Sequence, residues 1–292
     1  MKPLRDIAFR CRALLAALSL AALPLAAQAP APAATPETWY VVTIGGQAVG
    51  SVHEEISAGP VAVEVQSKTH LILNRLDTKV EMSIGETTRE APDGHLLGLD
   101  LETRISEQTL TSKITIDGGQ ARIEATAGGR SFVRMVPLEG ALLGPEAIRK
   151  LSIERLAKPG DTIEVATWAA EAEAARRVTR TVVGREPVTV DGAQIAALHV
   201  RQHTEGNAGE SQLWLDAQGH IVQSSDPGPF GEMRTVRASA EAAARTAGGG
   251  ELPAEVFGGT LIRTAVRLPH PRHLERVVLR LHHREPSLGW PA

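Results

Sequence analysis

Hydrophobic and polar positions alternate along most of this chain, which predicts strands, with one stretch of helical spacing between them. Residues 39–44 (Trp-Tyr-Val-Val-Thr-Ile) read as a strand. Gly45-Gly46-Gln47 supplies a tight turn, and 49–56 returns. Val61, Val63 and Val65 alternate with polar neighbours, and Leu71 and Leu73 extend that spacing, so 61–75 is one long strand or two. Val80, Met82 and Ile84 define the next strand, and Pro92-Asp93-Gly94 a turn. Leu97, Leu99 and Leu101 then place one face inward. Segments 110–116, 121–126 and 131–136 follow, separated by Asp117-Gly118-Gly119 and Gly128-Gly129. Consecutive hairpins of this kind form a meander, so the sheet is expected to be antiparallel.

The helix is predicted near 145–157. Pro145 stands where proline is preferred in a first turn. Ile148, Leu151, Ile153 and Leu156 give an apolar stripe, and Lys158-Pro159-Gly160-Asp161 ends it. Strand patterns resume at 162–168, 177–186, 194–203, 211–215, 220–225 and 233–238; 187–190 leads into a turn at Asp191-Gly192, and Asp216–Gly219 is another turn. The fold class is therefore mainly β: a large curved antiparallel sheet with one packed helix. From residue 241 the chain becomes Ala-rich. Gly248-Gly249-Gly250 reads as a hinge, and 248–292 as a short β appendage that stops in mid-connection. The main β domain is thus expected to span 37–247.

The N-terminus changes the compartment. Lys2, Arg5, Arg10 and Arg12 precede an apolar run at 13–25 and then small residues, the pattern of a secretory signal over 1–33. The run is short for a membrane span. Residues 34–36 complete a Pro/Ala tether. The chain is expected to be exported, to the periplasm or beyond, with no transmembrane segment after cleavage. Its single cysteine, Cys11, lies inside the signal, so the mature chain has no thiol for a disulfide, a nucleophile or a metal. The first 34 residues carry four basic and one acidic side chain; with a formal net charge of -3 for the whole, the remainder is near -6. No basic tract suggests nucleic acid. Aromatics make up 3% of the chain, so aliphatics must build the core.

Candidate chemistry is sparse. There is no P-loop, dinucleotide fingerprint or HExxH and no G-x-S-x-G elbow, so neither a cofactor nor a catalytic residue is expected. His199 and His203, four apart on one strand, share a face, and His220 on the neighbouring strand is a third metal-ligand candidate. The simpler reading is a pair of surface histidines, and no metal is expected. His270, His273, His282 and His283 form a basic strip with nearby arginines, or one outward strand face. Glu54, Glu64 and Glu81 read as solvated strand positions, and Trp39, Trp168 and Trp214 as packing residues.

Several short signatures recur in a shared order: Glu37-Thr38-Trp39-Tyr40 with Gly45–Gly50, Pro92–Leu97, Leu143–Ile148 with Leu156–Asp161, and Leu213–Asp216 with Gly219–Val222. In that order, across 37–281, the chain resembles the N-terminal β-rich region of bacterial exported transglutaminase-like proteins. The family's catalytic core, with its Cys nucleophile, would follow this region and is not in the chain. The resemblance implies a non-catalytic accessory or interaction domain whose partner is another protein or a downstream core. A looser similarity, to periplasmic lipoprotein carriers, implies the alternative of a carrier for an apolar ligand or lipid in the concave face of the sheet. A hydrolase of another type is a third possibility.

Overall fold

The computed structural model describes residues 37–75, 78–207, 209–228 and 231–251; the N-terminal signal pattern and the histidine-rich tail lie outside the described residues. Eight strands come first: β1 (Glu37–Ile44), β2 (Gln47–Ala58), β3 (Val63–Arg75), β4 (Thr78–Glu90), β5 (Leu96–Ile105), β6 (Gln108–Asp117), β7 (Gln120–Ala127) and β8 (Arg130–Pro137). Helix α1 (Pro145–Arg155) follows. Six further strands return: β9 (Thr162–Ala169), β10 (Ala174–Val190), β11 (Ala193–Thr204), β12 (Glu210–Leu215), β13 (Ile221–Gly228) and β14 (Gly231–Ala238). The chain then forms α2 (Ala240–Ala244), a 3₁₀ turn over Arg245–Gly248 and the two-residue β15 (Gly250–Glu251).

These strands make one antiparallel sheet in the order β8-β7-β6-β5-β4-β3-β2-β1-β14-β13-β12-β11-β10-β9, with β15 added in parallel to β3. Every neighbour but one is a sequential hairpin. The exception joins the two meanders: β14 pairs with β1, from Trp39 opposite Ala238 to Ile44 opposite Met233. The expected mainly β class with an antiparallel meander is what the molecule has.

The sheet curls but does not close. Its edges, β8 and β9, share no ladder. They approach where Arg134 Nη2 of β8 reaches the Glu173 carboxylate, 2.8 Å away, in the β9–β10 connection. Beneath that contact Leu96, Leu99, Ile114, Ile123 and Trp168 form one core cluster, with Val136 and Ala175 at its border. A second cluster lies under the end of α1: Leu156, Ile163, Val182, Val200 and Leu213. The aliphatic core expected from the scarcity of aromatics is present, at about 25 cal/mol per Å² of apolar surface removed from water.

Three details differ from the pattern. The inward leucine of the β5 entrance is Leu96, at 4% exposure, and Leu97 points outward. The pairing of β4 with β5 slips between Arg89 and Glu90, which inverts the alternation at that end. Gly98 makes this possible, because a Cβ there would sit 2.2 Å from the Ile114 carbonyl oxygen on β6. On α1, Ile153 is exposed, whereas Ile148 and Ser152 face inward; a step of five residues from Ile148 rotates Ile153 off the buried stripe. The Ala-rich stretch after 239 is structured through Glu251: Ser239 Oγ accepts the Ala242 N–H as the α2 cap, and the glycines expected as a hinge lead into β15 on β3.

Candidate functional site

The connection before α1 is laced to both meanders. Leu96 N–H donates to the Leu142 carbonyl, Leu143 N–H to Ala166, and Gly144 N–H to Gly94. Thr167 Oγ1 donates to the Leu143 carbonyl. The helix thus starts at a fixed point between the β4–β5 turn and β9. Its cap comes from the sheet. Glu90, the last residue of β4 and 1% exposed, accepts the Glu146 N–H at 2.7 Å and the Ala147 N–H at 3.0 Å, one on each carboxylate oxygen. These are first-turn donors that no residue of the helix can satisfy, and the positive end of the helix dipole favours the carboxylate there. Burial pushes the Glu90 carboxyl up, against the lowering effect of the two N–H groups.

Between α1 and the inner face of the sheet lies a chamber of about 260 Å³. Its apolar walls include Ile56, Val65, Leu99, Ile148 and Trp168, and its polar lining includes Tyr40, Glu54, Glu146, Arg149, Arg180 and His220. Glu54 shares a face with Val52 and Ile56 and so points inward. It lines the chamber rather than the solvated face its sequence suggests; burial raises its carboxyl above the ordinary value, helped by the nearby charge of Glu146 and opposed by Arg237. Burial alone would raise Glu146 as well. Arg149 overrides this with two contacts, Nε to Oε1 at 2.7 Å and Nη2 to Oε2 at 2.8 Å, which hold Glu146 below the usual range. Tyr40 donates to the Ile221 carbonyl, and burial raises its phenol. Burial, with Arg149 nearby, lowers the imidazole of His220.

Arg180 is the unexpected member. It stands between Val178 and Val182 on the inward face of β10, opposite Ile163 on β9 and Gln202 on β11. Its Nε donates to Gln202 Oε1 at 2.8 Å and Nη1 to Ser152 Oγ of α1 at 3.1 Å. Desolvation alone pulls its pKa down to about 10, so it stays charged at neutral pH. No carboxylate pairs with it among the described residues. Trp168 Nε1 on the same lining is also buried without an acceptor. The signal for Arg180 was in the sequence: Val178-Thr-Arg-Thr-Val182 alternates, and its central inward position is an arginine.

The three histidine candidates do not converge. His199 and His203 lie on the outer face of β11, while His220 lines the chamber on the inner side. Both ring nitrogens of His199 are engaged, Nδ1 with Glu186 at 2.9 Å and Nε2 with Gln212 at 2.8 Å, and the ring stacks on Trp214. A different trio, Glu37, His53 and Glu55, brings its ligand atoms within 4.8 Å of one another on the outer face. There His53 Nε2 sits 3.1 Å from Glu37 and 3.5 Å from Glu55 and stacks on Trp39. A larger groove of about 830 Å³ is lined mostly by outward positions of β3–β8, among them Lys68, Glu102, Lys113 and Glu124. No helix among the described residues is long and apolar enough to cross a membrane.

The raised carboxyl of Glu54 has a measurable consequence. A folded state that keeps its proton to higher pH loses stability as pH rises from the ordinary value of 4.5 through the folded one. Glu54→Gln removes that dependence. The stability difference between variant and wild type should therefore grow in the variant's favour from pH 4.5 upward and then level off. Urea unfolding of both proteins from pH 4 to 8 measures it, and a flat difference would return Glu54 to solvent.

No family model and no curated relative matches the chain. Among solved structures, the fold is similar to a β-barrel-like protein of a domain of unknown function, DUF1849, from Brucella abortus: TM-score 0.54, 11% identity, covering 69% of this chain and 94% of that one. Two weaker likenesses are to a DUF1089 family protein from Pseudomonas aeruginosa (TM-score 0.33, 17% identity, 59% of this chain and 87% of that one) and to the hypothetical lipoprotein YmcC from Escherichia coli (TM-score 0.30, 10% identity, 69% and 83%). The first places the chain in a β-barrel-like class of fold; the other two carry no architectural argument.

Proposed function

We propose that this chain is an exported, non-catalytic binding domain that takes a small ligand with an apolar body into the chamber beneath α1. The observation that carries this reading is the chamber itself: aliphatic and aromatic walls with a few convergent polar groups, the composition of small-molecule sites in general. At about 260 Å³ it lies just under the usual range of about 300–1,000 Å³ for drug-sized ligands, so the ligand is small. Among the described residues that line it, no nucleophile is paired with a base, which supports binding over turnover. Organic extraction of the purified, exported protein followed by mass spectrometry should recover a co-purified amphipathic compound. A protein that yields none, and whose melting temperature does not move with added short-chain amphiphiles, would refute the reading.

A second reading has its own observation. The edge strand β8 exposes Phe132, Val133 and Met135, at 48%, 59% and 52%, beside backbone groups that have no strand partner among the described residues. An exposed apolar edge is a template for another chain. This supports the accessory-domain reading implied by the transglutaminase-like resemblance. Sequencing the gene beyond codon 292 tests it: a fused or adjacent transglutaminase-like frame is expected, and its absence would sink that partner.

A further inference from the structure

Resting on the reading of the chamber as a ligand site, we infer that its ligand is a carboxylic acid with an apolar body, and that Arg180 is the counter-ion of the carboxylate. Arginine carries five N–H donors. Two are used here, on Gln202 and Ser152, both neutral acceptors. The remaining three have no protein acceptor among the described residues, on a side chain that lines the chamber. A half-buried guanidinium with neutral partners has no counter-charge of its own, and an anion in the space beside it would supply one. Of the chamber's three acids, Glu86 accepts from Thr88 Oγ1 at 3.2 Å, and the other two are engaged elsewhere. Glu146 is tied to Arg149 through both oxygens, and the charges that act on Glu54 are those of Glu146 and Arg237.

A planar carboxylate matches the fork of Arg180, whose Nε and Nη1 contacts hold it in place from both sides of the chamber wall. The apolar body then rests against Ile148, Leu99 and Val65. A purely apolar ligand would leave the guanidinium unpaired in a drier chamber, which is an argument against hydrocarbons and alcohols as the preferred guest.

Calorimetric titration of the full chain with sodium octanoate and, separately, with 1-octanol tests the inference. The wild type should bind octanoate at least tenfold more tightly than octanol. Arg180→Gln should bring octanoate down to the affinity of octanol, while Arg180→Lys, which keeps the charge without the fork, should retain part of the preference. If the Gln variant does not fold, the Lys variant and the wild-type ratio still decide the matter. Equal affinities for acid and alcohol in the wild type, or an acid preference that survives Arg180→Gln, would overturn the assignment to Arg180 and leave the chamber as a ligand site. Binding of neither compound would overturn the chamber reading itself.

Discussion

Glu90→Ala is expected to lower the stability of the folded chain by about 3 kcal/mol, close to the largest effect of any single side-chain deletion here. The substitution removes a carboxylate that is 1% exposed and leaves the Glu146 and Ala147 N–H groups at a helix start with no acceptor. Removing a buried acceptor costs about 1–3 kcal/mol for each stranded partner, less whatever water recovers, and loss of a helix N-cap costs about 1 kcal/mol. The melting temperature should fall by roughly 6–12 °C, at about 2–4 °C per kcal/mol for a chain of this size. Glu90→Gln should cost less, since one amide oxygen still accepts and the penalty of a buried charge disappears. Gly144→Ala should mimic Glu90→Ala while leaving residue 90 a glutamate. A Cβ on Gly144 would lie 2.1 Å from Glu90 Cγ and 2.2 Å from Cδ, so the acid would have to leave its seat. Differential scanning calorimetry of the three variants checks this. A loss below about 1 kcal/mol in Glu90→Ala would mean that the α1 start does not depend on β4.

That seat shows where the sequence was legible and where it was not. The fourteen main strands follow from alternation and turn residues, because hairpins are local: each strand finds its partner across a two- to five-residue turn. The helix was legible for the same reason, from Pro145 and the closing Lys158–Asp161. What joins distant pieces was not. The β1–β14 pairing spans almost the whole described chain, and the Glu90 contact with α1 spans 56 residues. Neither leaves a periodic trace. The site lay between these extremes. Arg180 and Glu54 occupy inward positions of regular strands, so the alternation that located the strands also marked them as misfits. Reading acidic positions as solvated by default hid that signal for Glu54. The Leu96–Leu97 inversion was hidden differently: a bulge changes phase without changing composition.

Asp216→Ala is expected to cost about 3–5 kcal/mol, because it dismantles the turn that completes the chamber and strands a charge at once. Asp216 Oδ1 accepts the N–H groups of Gln218 and His220 at 3.0 and 2.9 Å, which folds the turn between β12 and β13. Its Oδ2 accepts from Arg237 Nη1 on β14 at 2.9 Å, with side-chain exposures of 12% and 23% for the acid and the base. Arg237 Nη2 donates to the Ile221 carbonyl, the same oxygen that Tyr40 uses, and its Nε has no acceptor among the described residues. The pair therefore pins the turn carrying Gly219, His220 and Ile221 to the strand beside β1, and all three of those residues line the chamber. Against a total stability of about 5–15 kcal/mol, such a loss removes a large part of the folded state. Asp216→Asn should recover the turn but not the charge, and fall between Ala and wild type. Arg237→Met combined with Asp216→Ala should cost less than the sum of the two changes, since neither partner is then left alone. A double-mutant cycle by urea unfolding measures that coupling, expected at about 1–3 kcal/mol. A coupling under about 0.5 kcal/mol would show that the pair does not hold the turn against β14, and that the backbone of the β12–β13 hairpin places His220 in the chamber unaided.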